Sequence, residues 1–278
     1  MRFKKAYVEI TNVCNLNCAF CPGTRRAQRF MRVDEFDALA EKLRGYTEFL
    51  YFHLMGEPLL HPELDALLAR ADAYGFRVII TTNGTLLPKR AEVLLGAPAL
   101  HKVNISLQAF EANDGIDVES YVNQCAAFAD AMSAQGRLCV LRLWNKNGMD
   151  AENGRILRLL EARFPRLWRE SRGSLALAPH VWLEPGEKFD WPDMSAADGG
   201  ERLFCYALRD QIGVLCDGTV VPCCLDHEGE LALGNLHVST LDEIMSIDRA
   251  RGIYDGFSRR LAAEPLCRRC GYARRFDK

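Results

Sequence analysis

The sequence predicts an α/β fold: a partial (β/α)6 barrel followed by a small cysteine-rich domain with a β-hairpin and a helix. Two observations carry this. Between residues 6 and 184, short apolar β-type runs alternate with segments of helical periodicity. Such alternation gives a parallel sheet covered by helices, and six units fall short of the usual closed eight-stranded, TIM-like barrel. Beyond a Pro-, Gly-, Asp- and Ala-rich stretch at 185–200, six of the eleven cysteines fall between Cys205 and Cys270. The expected boundaries are 1–185 for the barrel, 186–200 for a linker and 201–278 for the cysteine-rich domain.

The elements follow in order. Residues 6–11 form strand one, and a helix follows Asp34 as N-cap, with Phe36, Leu39 and Leu43 on one face. Strand two spans 49–55. The next helix has Pro62 in its first turn, carries Leu64, Leu67, Leu68 and Ala71, and stops at Gly75. Strand three is 76–82, a short helix covers 88–95, and strand four is 101–107. A helix over 119–135 ends before Gly136, strand five is 138–143, a helix spans 156–164, and strand six is 175–183. Active groups in such barrels sit at the C-terminal ends of the strands.

Composition narrows the function. Hydrophobic residues at 49% and charged residues at 26% are those of an ordinary globular chain. Thirty-five Lys and Arg against 37 Asp and Glu leave a net charge of −2, which disfavours a nucleic-acid binder. No apolar run approaches the roughly 18 residues of a membrane span, and the first ten residues lack the apolar core of a signal peptide. A cytoplasmic protein without a membrane partner is expected. Thiols there are rarely paired as disulfides, so their clustering at the two ends of the chain reads as metal binding. Cys125 and Cys139, which lie apart, suit buried small hydrophobes.

Cys14, Cys18 and Cys21 form C-x3-C-x2-C directly after strand one. Three thiolates on one loop can ligate three irons of a [4Fe–4S] cluster and leave the fourth open to an exogenous ligand. A zinc site with a fourth ligand from elsewhere fits the same spacing. With aromatic Phe20 before the last cysteine, the loop resembles that of the radical S-adenosylmethionine (radical SAM) superfamily. Met55-Gly56-Glu57-Pro58 at the end of strand two resembles that family's Gly-Gly-Glu-Pro segment, with Met in place of the first Gly. The resemblance implies that Gly56 allows close backbone approach and that Glu57 meets the ammonium of SAM. It further implies that Asn83, Ser106 and Arg142, on strands three to five, hold the ribose and carboxylate. The implied chemistry is reductive cleavage of SAM to a 5′-deoxyadenosyl radical that removes hydrogen from substrate.

In the second group, Asp217-Gly218 between two apolar runs signals a hairpin, and Pro222 places its strand at an edge or end. In a regular two-residue hairpin, residues whose numbers sum to 435 pair. Cys216 and Cys223 then share a face but stand about 13 Å apart along the strand, too far for one compact cluster. Neighbouring Cys223 and Cys224 point to opposite faces, so one ligates and the other packs. The pattern C-x12-G-x4-C followed by a distant C-x2-C resembles the SPASM and Twitch extensions of the same superfamily. It implies the shortened Twitch form, with one auxiliary [4Fe–4S] cluster on Cys205, Cys223, Cys267 and Cys270. Cys224 is the alternative to Cys223, and a structural zinc or a purely structural cluster is the alternative to an electron-transfer role.

The catalytic acid or base stays unassigned among His53, His180, Glu184, Asp226 and His227. The tail arginines Arg268, Arg269, Arg274 and Arg275 suit a solvated face, or a dock for an acidic reductant of flavodoxin or ferredoxin type. The leading reading is a radical SAM enzyme, an oxidoreductase acting on a small molecule or peptide. Strand one begins by residue 6, which weakens a leader-peptide mechanism needing an N-terminal recognition domain. The reading from another class is a non-catalytic iron–sulfur electron carrier or binding module.

Overall fold

A computed structural model of the chain describes residues 2–110, 113, 115–165 and 168–276. Among them, one sheet runs through β1 (Lys5–Val8), β2 (Phe49–Phe52), β3 (Arg77–Thr82), β4 (Leu100–Ser106), β5 (Leu138–Lys146) and β8 (Val181–Glu187), all parallel. Helices α1 (Val33–Leu43), α2 (Leu64–Ala73), α3 (Leu87–Gly96), α4 (Val118–Ala134) and α5 (Asn153–Arg163) provide the crossovers. The sheet ends without closing, so the barrel is partial.

Both of its edges are extended. Beyond β8 lie antiparallel β7 (Ser174–Ala178) and β6 (Arg169–Ser171). Beyond β1 comes β9 (Gln211–Val214), parallel to it, then antiparallel β10 (Thr219–Val221) and β11 (Gly234–Asn235). The cysteine-rich region thus adds strands to the barrel's own sheet. Its helices are α6 (Leu241–Ser246), α7 (Asp248–Ser258) and α8 (Pro265–Arg268). Thr240 caps α6 by a reciprocal pair of bonds: its hydroxyl accepts from Glu243 N–H, and its own N–H donates to the Glu243 carboxylate at 2.7 Å.

Three local expectations change. Residues 175–183 are not one strand; they straddle the β7–β8 hairpin, which turns at Pro179 and at His180 with φ +60°. Apolar residues continue on both sides of that turn, so composition alone did not reveal it. Asp34 lies inside the first turn of α1 rather than at its cap; Arg32 is the cap, and its N–H donates to Glu35 at 2.8 Å. The β9–β10 hairpin pairs residues summing to 434, as in Val214 with Val220. Leu215 C=O accepts from Gly218 N–H, and Leu215 N–H donates to Thr219 C=O, both at 2.8 Å. This is a three-residue loop with Gly218 in the left-handed region at φ +85°. Cys216 therefore sits in the turn.

Strand alternation separates two faces. Ala6, Val8, Leu50, Phe52, Ile80 and Ile105 point outward into the main core beneath the helices. There Phe36 of α1 meets Phe52 edge-on, centroids 5.6 Å apart, and truncating such a ring costs about 3–5 kcal/mol. Cys125 and Cys139 are fully buried in this core. The inner face is different. Tyr7, Tyr51, Ile79 and Lys102 align in register across β1 to β4, and above them Ser106, Arg142 and Glu184 align across β4, β5 and β8.

Candidate active site and cluster-binding thiols

The loop carrying Cys14, Cys18 and Cys21 leaves the C-terminal end of β1, and its root is pinned from two sides. Asn12 bridges to the returning chain through Ala27 C=O and Arg29 N–H, at 2.9 and 2.8 Å. Glu57 N–H donates to Val13 C=O at 2.8 Å. Gly56 has φ +75°, and a Cβ there would stand 2.5 Å from Thr11 O. Its close approach is thus to the root of the cysteine loop itself. Met55 is buried beside it, with its N–H 3.3 Å from the Glu9 carboxylate.

Glu57 is the buried carboxylate of this segment. Its side chain is turned inward, 1% exposed, and accepts from Leu59 N–H, Thr82 Oγ1 and Asn83 N–H at 3.0, 2.7 and 2.7 Å. The carboxylate thus ties the ends of β2 and β3 together. Burial pushes its pKa up to about 7, while those hydrogen bonds pull it down.

The three thiols are free, with Cys14 exposed and Cys18 and Cys21 half-buried. Amide donors face their sulfurs: Asn113 Nδ2 lies 3.3 Å from Cys18 Sγ, and Asn83 Nδ2 lies 4.0 Å from Cys14 Sγ and 2.9 Å from Asn15 Oδ1. Such donors suit anionic ligand sulfurs. Phe20 is half-buried on the same loop. Ser106 is half-buried at the end of β4. Arg142 reaches Glu184 at 2.9 Å and covers the Trp144 ring at 4.5 Å, so here its fork meets a carboxylate of the chain. Among the described residues, two buried acceptors, Asn104 Oδ1 and Gln108 Oε1, have no partner. Open thiols with amide donors, beside orphaned acceptors on the same barrel, fit a [4Fe–4S] cluster and a polar organic cofactor.

The second thiol group borders a cavity of about 640 Å³ whose wall includes Cys205, Cys223, Cys224, Cys267 and Cys270 together with Lys5, Tyr7, Tyr51 and Lys102. Four distant chain segments converge there. Cys223 feels Cys224 first and then Cys205, Cys270 and Cys267, while Cys224 packs against the inner cluster that holds Tyr7 and feels Lys5 and Cys270. Burial raises all of these thiols, Cys205 to about 11. Cys216 stands elsewhere, 3.6 Å from Ile10 C=O. Among the described residues no three His, Cys, Asp or Glu side chains converge on a point that could hold a single metal ion.

One device escaped the sequence. Glu9, 1% exposed, takes both Arg26 nitrogens at 2.8 and 2.6 Å, and its oxygens also accept from Met55 and Cys216 N–H. Arg26 Nε then donates to His227 C=O at 2.8 Å. One ion pair thus joins the cysteine loop, the end of β2 and the C-terminal region. No spacing rule signals it, since most partners are backbone groups distant in sequence.

The unassigned candidates scatter. His53 lies 6.0 Å from Tyr7, and burial, helped by Arg142 and Lys5, depresses its pKa to about 4. His180 is exposed in its hairpin turn. Asp226 is buried, accepting from Glu230 and Leu231 N–H, and His227 packs on Trp191. Of the tail arginines, Arg274 is exposed and Arg268, Arg269 and Arg275 are half-buried. Arg268 pairs with Glu201, Arg269 pairs with Asp198, Arg274 packs against Gly199, and Arg275 covers Trp144, Phe189 and Tyr272.

Residues 8–147 match the radical SAM superfamily, and residues 205–271 match SPASM, an iron–sulfur cluster-binding domain. The chain belongs to the radical SAM superfamily. It is an enzyme of a class that takes SAM and a [4Fe–4S] cluster, carrying a domain that binds auxiliary iron–sulfur clusters. The GTP 3′,8-cyclase of Stenotrophomonas maltophilia (strain K279a) is 35% identical over 135 residues, 45% of this chain and 41% of that protein. The Fe-coproporphyrin III synthase of Methanosarcina barkeri is 31% identical over 109 residues, 38% of this chain and 27% of that protein. The match spans less than half the length of these curated relatives. The crystal structure of BtrN in complex with AdoMet and 2-DOIA superposes with TM-score 0.63 and 20% identity, covering 97% of this chain and 93% of that one. That likeness is one of fold. Among the described residues no helix is long and apolar enough to cross a membrane.

Proposed function

We propose that this radical SAM enzyme oxidises a small molecule or peptide seated in the barrel lumen, with one auxiliary [4Fe–4S] cluster as electron acceptor. The observation that carries the reading is the placement of the two thiol groups. Cys14, Cys18 and Cys21 lie at the C-terminal mouth of the strands, and Cys205, Cys223, Cys267 and Cys270 border a cavity that also touches the lumen wall. The first group has three thiols and leaves a coordination position for SAM; the second has four and closes its cluster. Cys14, Cys18 and Cys21 would hold the cluster, which would supply the one-electron reduction of SAM that hydrogen abstraction from substrate requires.

The chain's own groups orient and protect. Asn83 and Asn113 face the loop sulfurs, Gly56 lets the β2 end pack under the loop, and Glu57 and Thr82 fix the neighbouring strand ends. Met55, Phe20, Ser106 and Arg142 surround the cofactor side, with Arg142 meeting the SAM carboxylate while its Nε stays on Glu184. Residues 1–185 serve as the catalytic barrel, 186–200 as the linker and 201–278 as the Twitch-type auxiliary domain. Cys223 is the fourth auxiliary ligand rather than Cys224, which packs against the inner cluster that holds Tyr7. A flavodoxin- or ferredoxin-type protein supplies the electron.

The test is electron paramagnetic resonance of the anaerobically reconstituted, reduced protein with and without SAM, alongside release of 5′-deoxyadenosine. A SAM-dependent change in one of two signals, with nucleoside released, is expected. Two reducible clusters indifferent to SAM, with no nucleoside released, would overturn the reading in favour of an electron carrier.

A further inference from the structure

The lumen wall carries more positive charge than its own carboxylates balance. Lys5, Lys102 and Arg142 lie on it, and of these Arg142 has Glu184 at 2.9 Å. Among the described residues neither Lys5 nor Lys102 forms an ion pair, and neither ammonium makes a hydrogen bond. Lys5 Nζ stands over the rings of Tyr7 and Tyr51, 5.2 and 5.3 Å from their centroids. The remaining charges on the cavity wall are already satisfied: Lys4 pairs with Asp210 at 2.7 Å, and Asp226 accepts two backbone N–H groups.

The register brings the two free ammonium groups into one neighbourhood. Tyr7, Tyr51, Ile79 and Lys102 share a row, and Lys5 precedes Tyr7 by two residues on the same face. Both lysines have lowered pKa values, chiefly from burial, and Arg142 lowers each further. Half-buried cations without a counter-ion are costly unless a ligand supplies one, and a concave wall of one sign concentrates ligands of the other. The auxiliary cluster is a rival counter-ion for Lys5, which feels Cys224. For Lys102 the largest influences are burial, Arg142 and Glu184.

We infer that the substrate carries an anionic group, a carboxylate or a phosphate, bound between Lys5 and Lys102 on the lumen wall. This deepens the proposed function and rests on the lumen being the substrate site. It also sets an orientation. The anionic end lies toward the cavity of the auxiliary thiols, and the carbon that loses hydrogen lies toward the strand ends where Cys14, Cys18 and Cys21 stand.

The test is competitive trace acetylation of lysines in the reconstituted protein with SAM, read by peptide mass spectrometry. Inorganic phosphate and succinate are the probes, with chloride at equal ionic strength as control. Several-fold slower acetylation of Lys5 and Lys102, with exposed Lys89 unchanged, is expected. Protection by phosphate alone, or by succinate alone, assigns the anion; protection by neither overturns the inference. In Lys102→Gln the protection of Lys5 should vanish, and in Lys102→Arg, which keeps the charge, it should persist. Persistence in Lys102→Gln would also overturn the inference by giving Lys5 a site of its own. The SAM-dependent resonance change of the wild-type protein is read separately, so failure of the anion site and failure of the radical reading remain distinct.

Discussion

The two thiol groups of this chain are assembled in opposite ways. Cys14, Cys18 and Cys21 come from one short loop, stand partly in solvent, and are held by amides from Asn83 and Asn113 and by the backbone of Met55 to Glu57. Cys205, Cys223, Cys267 and Cys270 come from separate segments and gather only when β9, β10 and α8 are in place. A loop of three thiols can form locally and keeps one side open, whereas a group of four drawn from distant segments is closed and depends on the tertiary fold. The difference predicts an exchangeable site beside a sealed one. Replacing Cys14, Cys18 and Cys21 together by Ala should reduce 5′-deoxyadenosine release to background while the second resonance signal survives. Loss of both signals in that variant would break the comparison.

Within the sealed site, adjacent cysteines should behave unlike each other. Cys223 feels all three of the other auxiliary thiols, whereas Cys224 feels Cys270 and packs against the inner cluster that holds Tyr7. Cys223→Ala should abolish the auxiliary signal, and Cys224→Ala should keep it with a modest change in shape, as a neighbouring thiol is lost. The reverse outcome would move the ligand by one residue. Iron content, measured on both variants, separates a lost cluster from a silent one.

The two sites are also tied together. Half-buried Arg26 and fully buried Glu9 form a bidentate pair that touches the cysteine loop, Met55 and the Cys216 turn. Removing one partner of such a pair leaves an uncompensated charge and costs about 3–5 kcal/mol. Arg26→Ala should therefore lower thermal stability by that order and shift both resonance signals. A change confined to the loop signal would show that the clamp does not couple the regions.

What was legible in the sequence was local. The strands β1 to β5 announced themselves by short apolar runs between helical periods, and the cysteine loop by its spacing. The β7–β8 turn was hidden because apolar residues flank Pro179 and His180 on both sides. Hairpin register failed by one residue, since Asp217-Gly218 reads equally as a two-residue turn or as the end of a three-residue loop. Glu9, Glu57 and the lumen lysines were obscure for another reason. Their roles depend on which backbone N–H groups and strand faces meet them, which only the assembled sheet decides.

Each thiol group rests near one buried carboxylate, Glu57 beside the open site and Asp226 beside the sealed one. Both have raised pKa values, chiefly through burial. Because the folded pKa of Glu57 lies above its ordinary value, its contribution to stability is complete below the ordinary value, about 4.5, and is lost as pH rises through about 7. A displacement of that size corresponds to something on the order of 3 kcal/mol. Glu57→Gln should therefore be less stable than wild type at pH 5, where the carboxyl is buried without charge, whereas the amide turns N–H donors toward partners that are themselves donors. The gap should narrow or reverse by pH 8, where the ionised carboxylate is buried and the amide carries no charge. Anaerobic thermal midpoints of the two proteins across that range provide the check. A wild-type advantage that grows with pH would mean that the three donors outweigh burial, so that Glu57 holds the strand ends as a stable anion beneath the open site.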